Sequence, residues 1–233
     1  MTSPDSFQVL ILSGLLAGLV GLPWPVEAQD ASVMPESLNY EPPNRGAPDS
    51  TDDAGSRPGC PESDLSFTAL VPRTTNWGET LSDRPSFWFY VPNGASRVEV
   101  VIRDGSDRII GRTTTDIAES DGLLRVDWAG EPLAINQFYQ WQAFFLCDPE
   151  VSDSYLSAGG GILRRDDVEP IGDELSSRER LVWFAEQGLW FDLLNELMEL
   201  RLQGEQNPVW QQDWRSLLSD PVVGLDAWID QDI

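Results

Sequence analysis

The hydrophobic period changes once along this chain, and that change decides the architecture. From Leu65 to about Leu163 apolar residues recur at every second position, and after Pro170 they recur with a helical period. Leu65, Phe67, Ala69 and Val71 alternate with more polar neighbours up to Pro72. Ser86 to Val91 places Phe87, Phe89 and Val91 on one face and Trp88 and Tyr90 on the other, the mark of a central strand covered on both sides. Val98, Val100 and Ile102 form a further strand, Asp104-Gly105 turns the chain, and Arg108 to Thr115 returns as a hairpin. Leu124, Val126 and Trp128 mark another strand. Tyr139, Trp141, Ala143, Phe145 and Cys147 share one face of the longest, and Ser157 to Arg164 is the last. About seven short antiparallel strands at this spacing predict a sandwich. Leu133, six residues before Tyr139, resembles the tyrosine-corner spacing of such folds.

Beyond Pro170, Ser176 and Glu179 form a capping box that opens a helix over Ser177–Gln187, which Gly188 ends. A second helix begins near Trp190 or Asp192 and stops near Gly204; Asn207-Pro208 is the cap and first turn of a third. The expected fold class is α+β: an antiparallel β-sandwich, immunoglobulin- or fibronectin-like, over 59–168. A helical hairpin and a third helix over 169–233 pack on it.

The amino-terminal part reads differently. Val9 to Leu22 is an uncharged apolar run, too short to span a membrane with ease but suited to a signal-peptide core. Val26-Glu27-Ala28 supplies small residues for cleavage after Ala28, so 1–28 is expected to be removed on export. The leader carries Asp5 and no basic side chain; either the α-amino group supplies the positive end or translation starts further upstream. Residues 29–58, rich in Pro, Asp, Ser and Asn, are expected to form a disordered tether. Cys60 and Cys147 are the only cysteines, and an oxidising compartment favours a bridge between them over two buried thiols.

Composition narrows the chemistry. The chain has 39 acidic and 15 basic residues, a net charge of −24, and all the basic residues are arginine. Without His there is no Ser-His-Asp or Cys-His arrangement and no His-ligated zinc. Without Lys there is no Schiff base and no phosphate loop of the Walker type. Scattered arginines on so acidic a chain argue against nucleic acid. No cofactor, metal or catalytic group is expected.

Several clusters have two readings each. Asp104-Gly-Ser-Asp107 and Asp166-Asp167 offer carboxylates to calcium, but Asp-Gly is first of all turn chemistry. Gly159-Gly-Gly161 lacks the Lys and following helix of a phosphate loop and reads as a strand start or bulge. Carboxylate pairs for glycoside hydrolysis have no spacing to mark them. Trp77, in a stretch read as a polar loop over 73–82, is a candidate exposed aromatic. Trp183, Trp190, Trp210 and Trp214 on the helices are candidates for contact with a partner.

Arg57-Pro-Gly-Cys60, Phe67-Thr-Ala-Leu-Val-Pro72, Pro85-Ser-Phe-Trp-Phe-Tyr-Val-Pro92 and Tyr139-Gln-Trp141 with Cys147-Asp-Pro149 occur in that order. Gly161-Ile-Leu-Arg164, Gly188-Leu-Trp-Phe-Asp192 and Trp214-Arg-Ser-Leu-Leu218 complete the series. Together they resemble the cyanobacterial domain of unknown function family 928, from Arg57 onward. Phe191 and Leu193 stand where that family tends to have Tyr and Ala. The resemblance implies an extracytoplasmic protein and supplies no activity to carry over. The expected function is a non-catalytic protein-interaction module of the cell envelope, periplasmic or secreted, without a transmembrane segment after processing. The alternative is a carbohydrate-binding module for cell-wall or extracellular glycan, and a carboxylate-based hydrolase comes third.

Overall fold

The computed structural model describes residues 37–43, 60, 66–92, 97–117, 122–147, 154–168, 172, 174–204 and 207–231. The expected signal peptide lies outside the described residues, as does all of the expected tether except 37–43. The chain is α+β, with two sheets of mostly antiparallel strands and three carboxy-terminal helices.

The smaller sheet has the order β1 (Thr68–Ala69), β3 (Ser86–Val91), β6 (Gly122–Asp127). The larger has the order β2 (Trp77–Thr80), β8 (Tyr155–Arg164), β7 (Phe138–Leu146), β4 (Arg97–Asp104), β5 (Ile109–Asp116). Both faces of β3 are apolar because both are covered. Phe87 and Phe89 look across to the larger sheet, where Trp141 lies 5.5 and 6.2 Å from them, and Phe67 stacks on Phe145 at 5.2 Å. These rings join the two sheets through one aromatic layer. Tyr139, second in β7, is buried, and its hydroxyl oxygen accepts the Ala134 amide at 2.9 Å.

Helix α1 (Ser177–Glu186) begins at the capping box read from the sequence: Glu179 accepts the Ser176 amide at 2.8 Å, and Ser176 Oγ accepts the Glu179 amide. Gly188, at φ +71°, turns the chain out of it, and a Cβ there would lie 2.9 Å from the Glu41 carbonyl. Helix α2 (Trp190–Gln203) lies against the smaller sheet, and α3 (Pro208–Leu218) starts with Asn207 accepting the Val209 amide at 3.0 Å. Its apolar stripe, Trp214, Leu217 and Leu218, is buried. Among the described residues no helix is long and apolar enough to cross a membrane.

Three features differ from the sequence expectation. The stretch 73–82, read as a loop, contains strand β2, paired in parallel with β8 from Trp77↔Gly161 to Thr80↔Arg164. All four of its residues are buried, so it shows no alternation for a period-two reading to find. The strand expected over Leu65–Val71 pairs only at Thr68 and Ala69. The segment 37–43, expected as tether, packs on the helices. Leu38 and Tyr40 are buried, the Glu41 amide reaches the Ala185 carbonyl at 3.2 Å, and Ser216 Oγ donates to the Leu38 carbonyl at 3.1 Å. Two apolar side chains in a polar stretch were enough to dock it.

Cys60 and Cys147 form the expected disulfide, with Cα atoms 5.1 Å apart and 87 positions between them in sequence. It ties the chain ahead of the first strand to the end of β7. Replacing both (Cys60→Ser with Cys147→Ser) is expected to lower stability by up to about 4 kcal/mol through the freed loop entropy. Urea unfolding checks this; an unchanged midpoint would contradict it.

Candidate functional site

The two sheets expose their outer faces unequally. On the smaller sheet the outward Trp88 donates its indole N–H to Asn195 of α2 at 3.4 Å, and Arg125 pairs with Glu199 at 2.9 Å. That face belongs to the helices. On the larger sheet the strand register sets out transverse rows of outward residues. One row runs Gly161, Gln140, Arg103; the next runs Gly159, Gln142, Val101, Arg112; a third runs Ser157, Phe144, Glu99, Thr114. Arg103 and Gln140 of the first row, Gly159, Gln142 and Val101 of the second, and Asp107, Trp141 and Gly160 beside them line a trough of about 280 Å³.

Gly159 and Gly160 of the glycine triplet line it, and the triplet's three members do different work. A Cβ on Gly160 would lie 2.2 Å from the Asn76 carbonyl oxygen and 2.7 Å from the Trp141 ring, so packing beneath the sheet requires glycine there. At Gly161 the Phe138 ring would be 2.4 Å away and Trp77 Cβ 3.1 Å. At Gly159 the nearest atom is the Trp141 carbonyl oxygen at 3.4 Å, an ordinary distance. Glycine in a strand interior costs about 0.5–1 kcal/mol relative to alanine and often marks a close approach by something outside. Of the three, Gly159 alone has no internal neighbour to account for it.

The trough is polar. Gln140 is exposed and Gln142 half-buried, so their amides offer donors and acceptors to its interior. Arg103 and Asp107 pair at 3.3 Å at one side, with Asp107 at φ +64° closing the turn. The preceding carboxylate, Asp104, has its oxygens taken up within the turn. One oxygen accepts from the Ser106 hydroxyl at 2.6 Å and from the amides of Ser106 and Arg108, and the other accepts from Arg108 Nε at 3.0 Å. The Ser106 hydroxyl and these further donors lower its pKa to about 2. This is turn chemistry, as one of the two readings of the Asp-Gly sequence had it. Among the described residues no cluster of three or more His, Cys, Asp or Glu side chains is arranged to hold a metal ion.

The tryptophans singled out from the sequence separate into two groups. Trp77 is only 4% exposed in β2, Trp190 is fully buried with its indole N–H on the Leu70 carbonyl at 2.9 Å, and Trp214 is buried with its own on the Ile229 carbonyl at 2.9 Å. These three are core side chains, unavailable to a partner. Trp210 is half-buried against the core. Trp183 is half-buried too and, with Leu175 and Val182, lines a shallow groove of about 560 Å³ on α1. None of these five lines the sheet trough; its polar residues have no motif, and only the glycine triplet hinted at it.

A second polar cluster lies where α2 meets the β region. Glu79 is fully buried and pairs with Arg165 at 2.7 Å; Arg165 also donates to the Gln187 carbonyl at 3.0 Å. Burial, and then the Glu79 charge, pushes the Tyr40 hydroxyl well above its usual range. Asp192 in the first turn of α2 accepts the Leu81 amide at 3.1 Å, and burial raises its carboxyl to about 6 against opposing hydrogen bonds from Thr80 and Leu81. These groups join elements to one another.

Two predictions follow from this geometry. Gly159→Val is expected to leave the melting temperature unchanged or slightly higher, whereas Gly160→Ala is expected to cost about 1–3 kcal/mol through overpacking. A thermal scan of both variants checks the contrast, and equal losses would refute it. For Asp192, a native pKa raised above the unfolded value means stability that is full below about pH 4 and lost as pH rises through 6. Asp192→Asn is therefore expected to flatten that window and to add about 1 kcal/mol at pH 7.5. Denaturant titrations at pH 4, 6 and 7.5 measure it; an unaltered pH profile would rule it out.

A search of curated proteins gives no match. Among solved structures, a cycloisomaltooligosaccharide glucanotransferase of Paenibacillus sp., complexed with cycloisomaltoheptaose, is similar at a TM-score of 0.30 and 11% identity. The similarity covers 48% of this chain and 17% of that one, and at that score it bears on neither fold nor function. Residues 52–233 match a family over most of the chain, and the protein belongs to it: the family described as Domain of Unknown Function (DUF928).

Proposed function

We propose that this chain is an exported, non-catalytic binding module that holds a polyhydroxylated ligand, a glycan, on the open face of its five-stranded sheet. The observation that carries the reading is the trough over Gly159: a floor of glycine backbone and the Val101 side chain, flanked by two glutamine amides, on the outer face of the five-stranded sheet. Side-chain amides both donate and accept, as sugar hydroxyls do, so each is matched without burying an unpaired group. An interface for a protein would be expected to carry few charges at its centre, and Arg103 and Asp107 stand in this one.

We read the scaffold as a sandwich of immunoglobulin or fibronectin type. The strand orders correspond to A-B-E in the smaller sheet and A′-G-F-C-C′ in the larger, and the Tyr139 hydroxyl on the Ala134 amide has the form of a tyrosine corner. Export rests on the signal-peptide pattern of 1–28 and is supported by the Cys60–Cys147 bridge, which suits an oxidising compartment.

A protein partner in the envelope is the second reading, and the groove beside Trp183 is the observation in its favour. One capture experiment separates the two. The immobilised full chain is expected to retain envelope polysaccharide, with retention reduced about tenfold by Gln142→Ala and unaffected by Trp183→Ala. Retention of protein alone, abolished by Trp183→Ala, would favour the second reading and overturn the first.

A further inference from the structure

We infer that the trough selects uncharged glycan chains and discriminates against acidic ones, an inference that rests on the reading of this face as a glycan site. The cations beside the trough are already committed. Arg103 is held by Asp107 at 3.3 Å and Arg112 by Glu99 at 2.6 Å, each pair on the surface of the sheet. Acidic polysaccharides are ordinarily gripped by bidentate guanidinium contacts to carboxylate or sulfate, and here such a contact would first have to displace a neighbouring carboxylate. The displaced Asp107 or Glu99 would then stand beside the incoming anion. A net charge of −24 adds long-range repulsion of any polyanion.

What the face does offer is neutral. Gln140 and Gln142 supply the central amides. Phe138 and Phe144 are outward and half-buried on the same strand, six positions apart, which is about 20 Å along the sheet. Phe144 is braced edge-on by Tyr155 at 5.4 Å, so its ring is held in place. An aromatic ring at each end with amides between them suits an extended chain of several sugar rings along β7, apolar ring faces on the phenyl groups and hydroxyls on the amides. An uncharged chain uses every one of these groups and disturbs neither ion pair.

Calorimetric titration of the full chain tests this, with cellohexaose and maltohexaose as uncharged probes and hexagalacturonate as the acidic one. Each is measured against the natural protein and against Gly159→Val, at low and physiological salt. At least one uncharged probe is expected to bind, with hexagalacturonate weaker by about tenfold or more at low salt and the gap narrowing as salt screens the repulsion. Gly159→Val is expected to abolish binding while the chain stays folded. Tighter binding of hexagalacturonate that Gly159→Val removes would overturn the selectivity and leave the site standing. Binding that Gly159→Val leaves intact, or no binding of any probe at millimolar concentration, would overturn the site as well.

Discussion

The structure turns on the seating of one side chain, Trp190, at the start of α2. Its indole N–H reaches the Leu70 carbonyl at 2.9 Å, its ring meets Tyr40 edge-on at 5.0 Å, and its Cβ lies so close to Gly78 that a methyl group there would be 2.7 Å away. One residue thereby ties together the segment after β1, strand β2, the amino-terminal stretch 37–43 and the helical tail. Truncating a tryptophan in such a place costs about 3–5 kcal/mol as a rule. The polar groups nearby serve the same junction: Asp192 holds the Leu81 amide, and Arg165 links buried Glu79 to the end of α1 through the Gln187 carbonyl. Burial disfavours the charged form of Asp192, so the junction is held more by packing than by electrostatics.

That seating decides which surfaces remain. With α2 laid along the smaller sheet, Trp88 and Arg125 are engaged by Asn195 and Glu199, and the aromatic layer between the sheets is closed. The outer face of the five-stranded sheet is what the fold leaves open. Its shape follows from the glycine triplet: two members yield to packing demands from Trp141, Asn76 and Phe138, and the third leaves a gap between polar neighbours. Arg103 and Arg112 on this face are paired with Asp107 and Glu99, and with the acidic composition of the chain this makes it a poor receptor for anions.

Much of the fold was legible because its signals are local. The Ser176–Glu179 box, Asn207-Pro208, the Asp104-Gly105 turn and the twofold period of β7 each act over a few residues, and each appears where it was read. The two-faced apolar pattern of β3 also reported its central place in a covered sheet. Strand β2 was invisible because its pairing partner lies far along the chain and its residues include Gly78 and a buried Glu79 that pairs with the distant Arg165. Trp77 was therefore read as a loop aromatic when it is covered. The candidate site was legible only as three glycines, since their separate roles depend on Asn76, Trp141 and Phe138, and nothing in the sequence announces that Gln142 stands opposite Gly159.

The central claim is that α2 covers the smaller sheet and the edge strand β2 of the larger, and leaves the outer face over β8, β7 and β4 as the working face. The direct measurement is amide chemical-shift mapping of the full chain as an uncharged hexasaccharide is added. The account predicts shifts concentrated at Arg103, Gln140, Gln142 and Gly159, with α1 and α3 unmoved. Shifts confined to the helices, around Trp183 in particular, would contradict it.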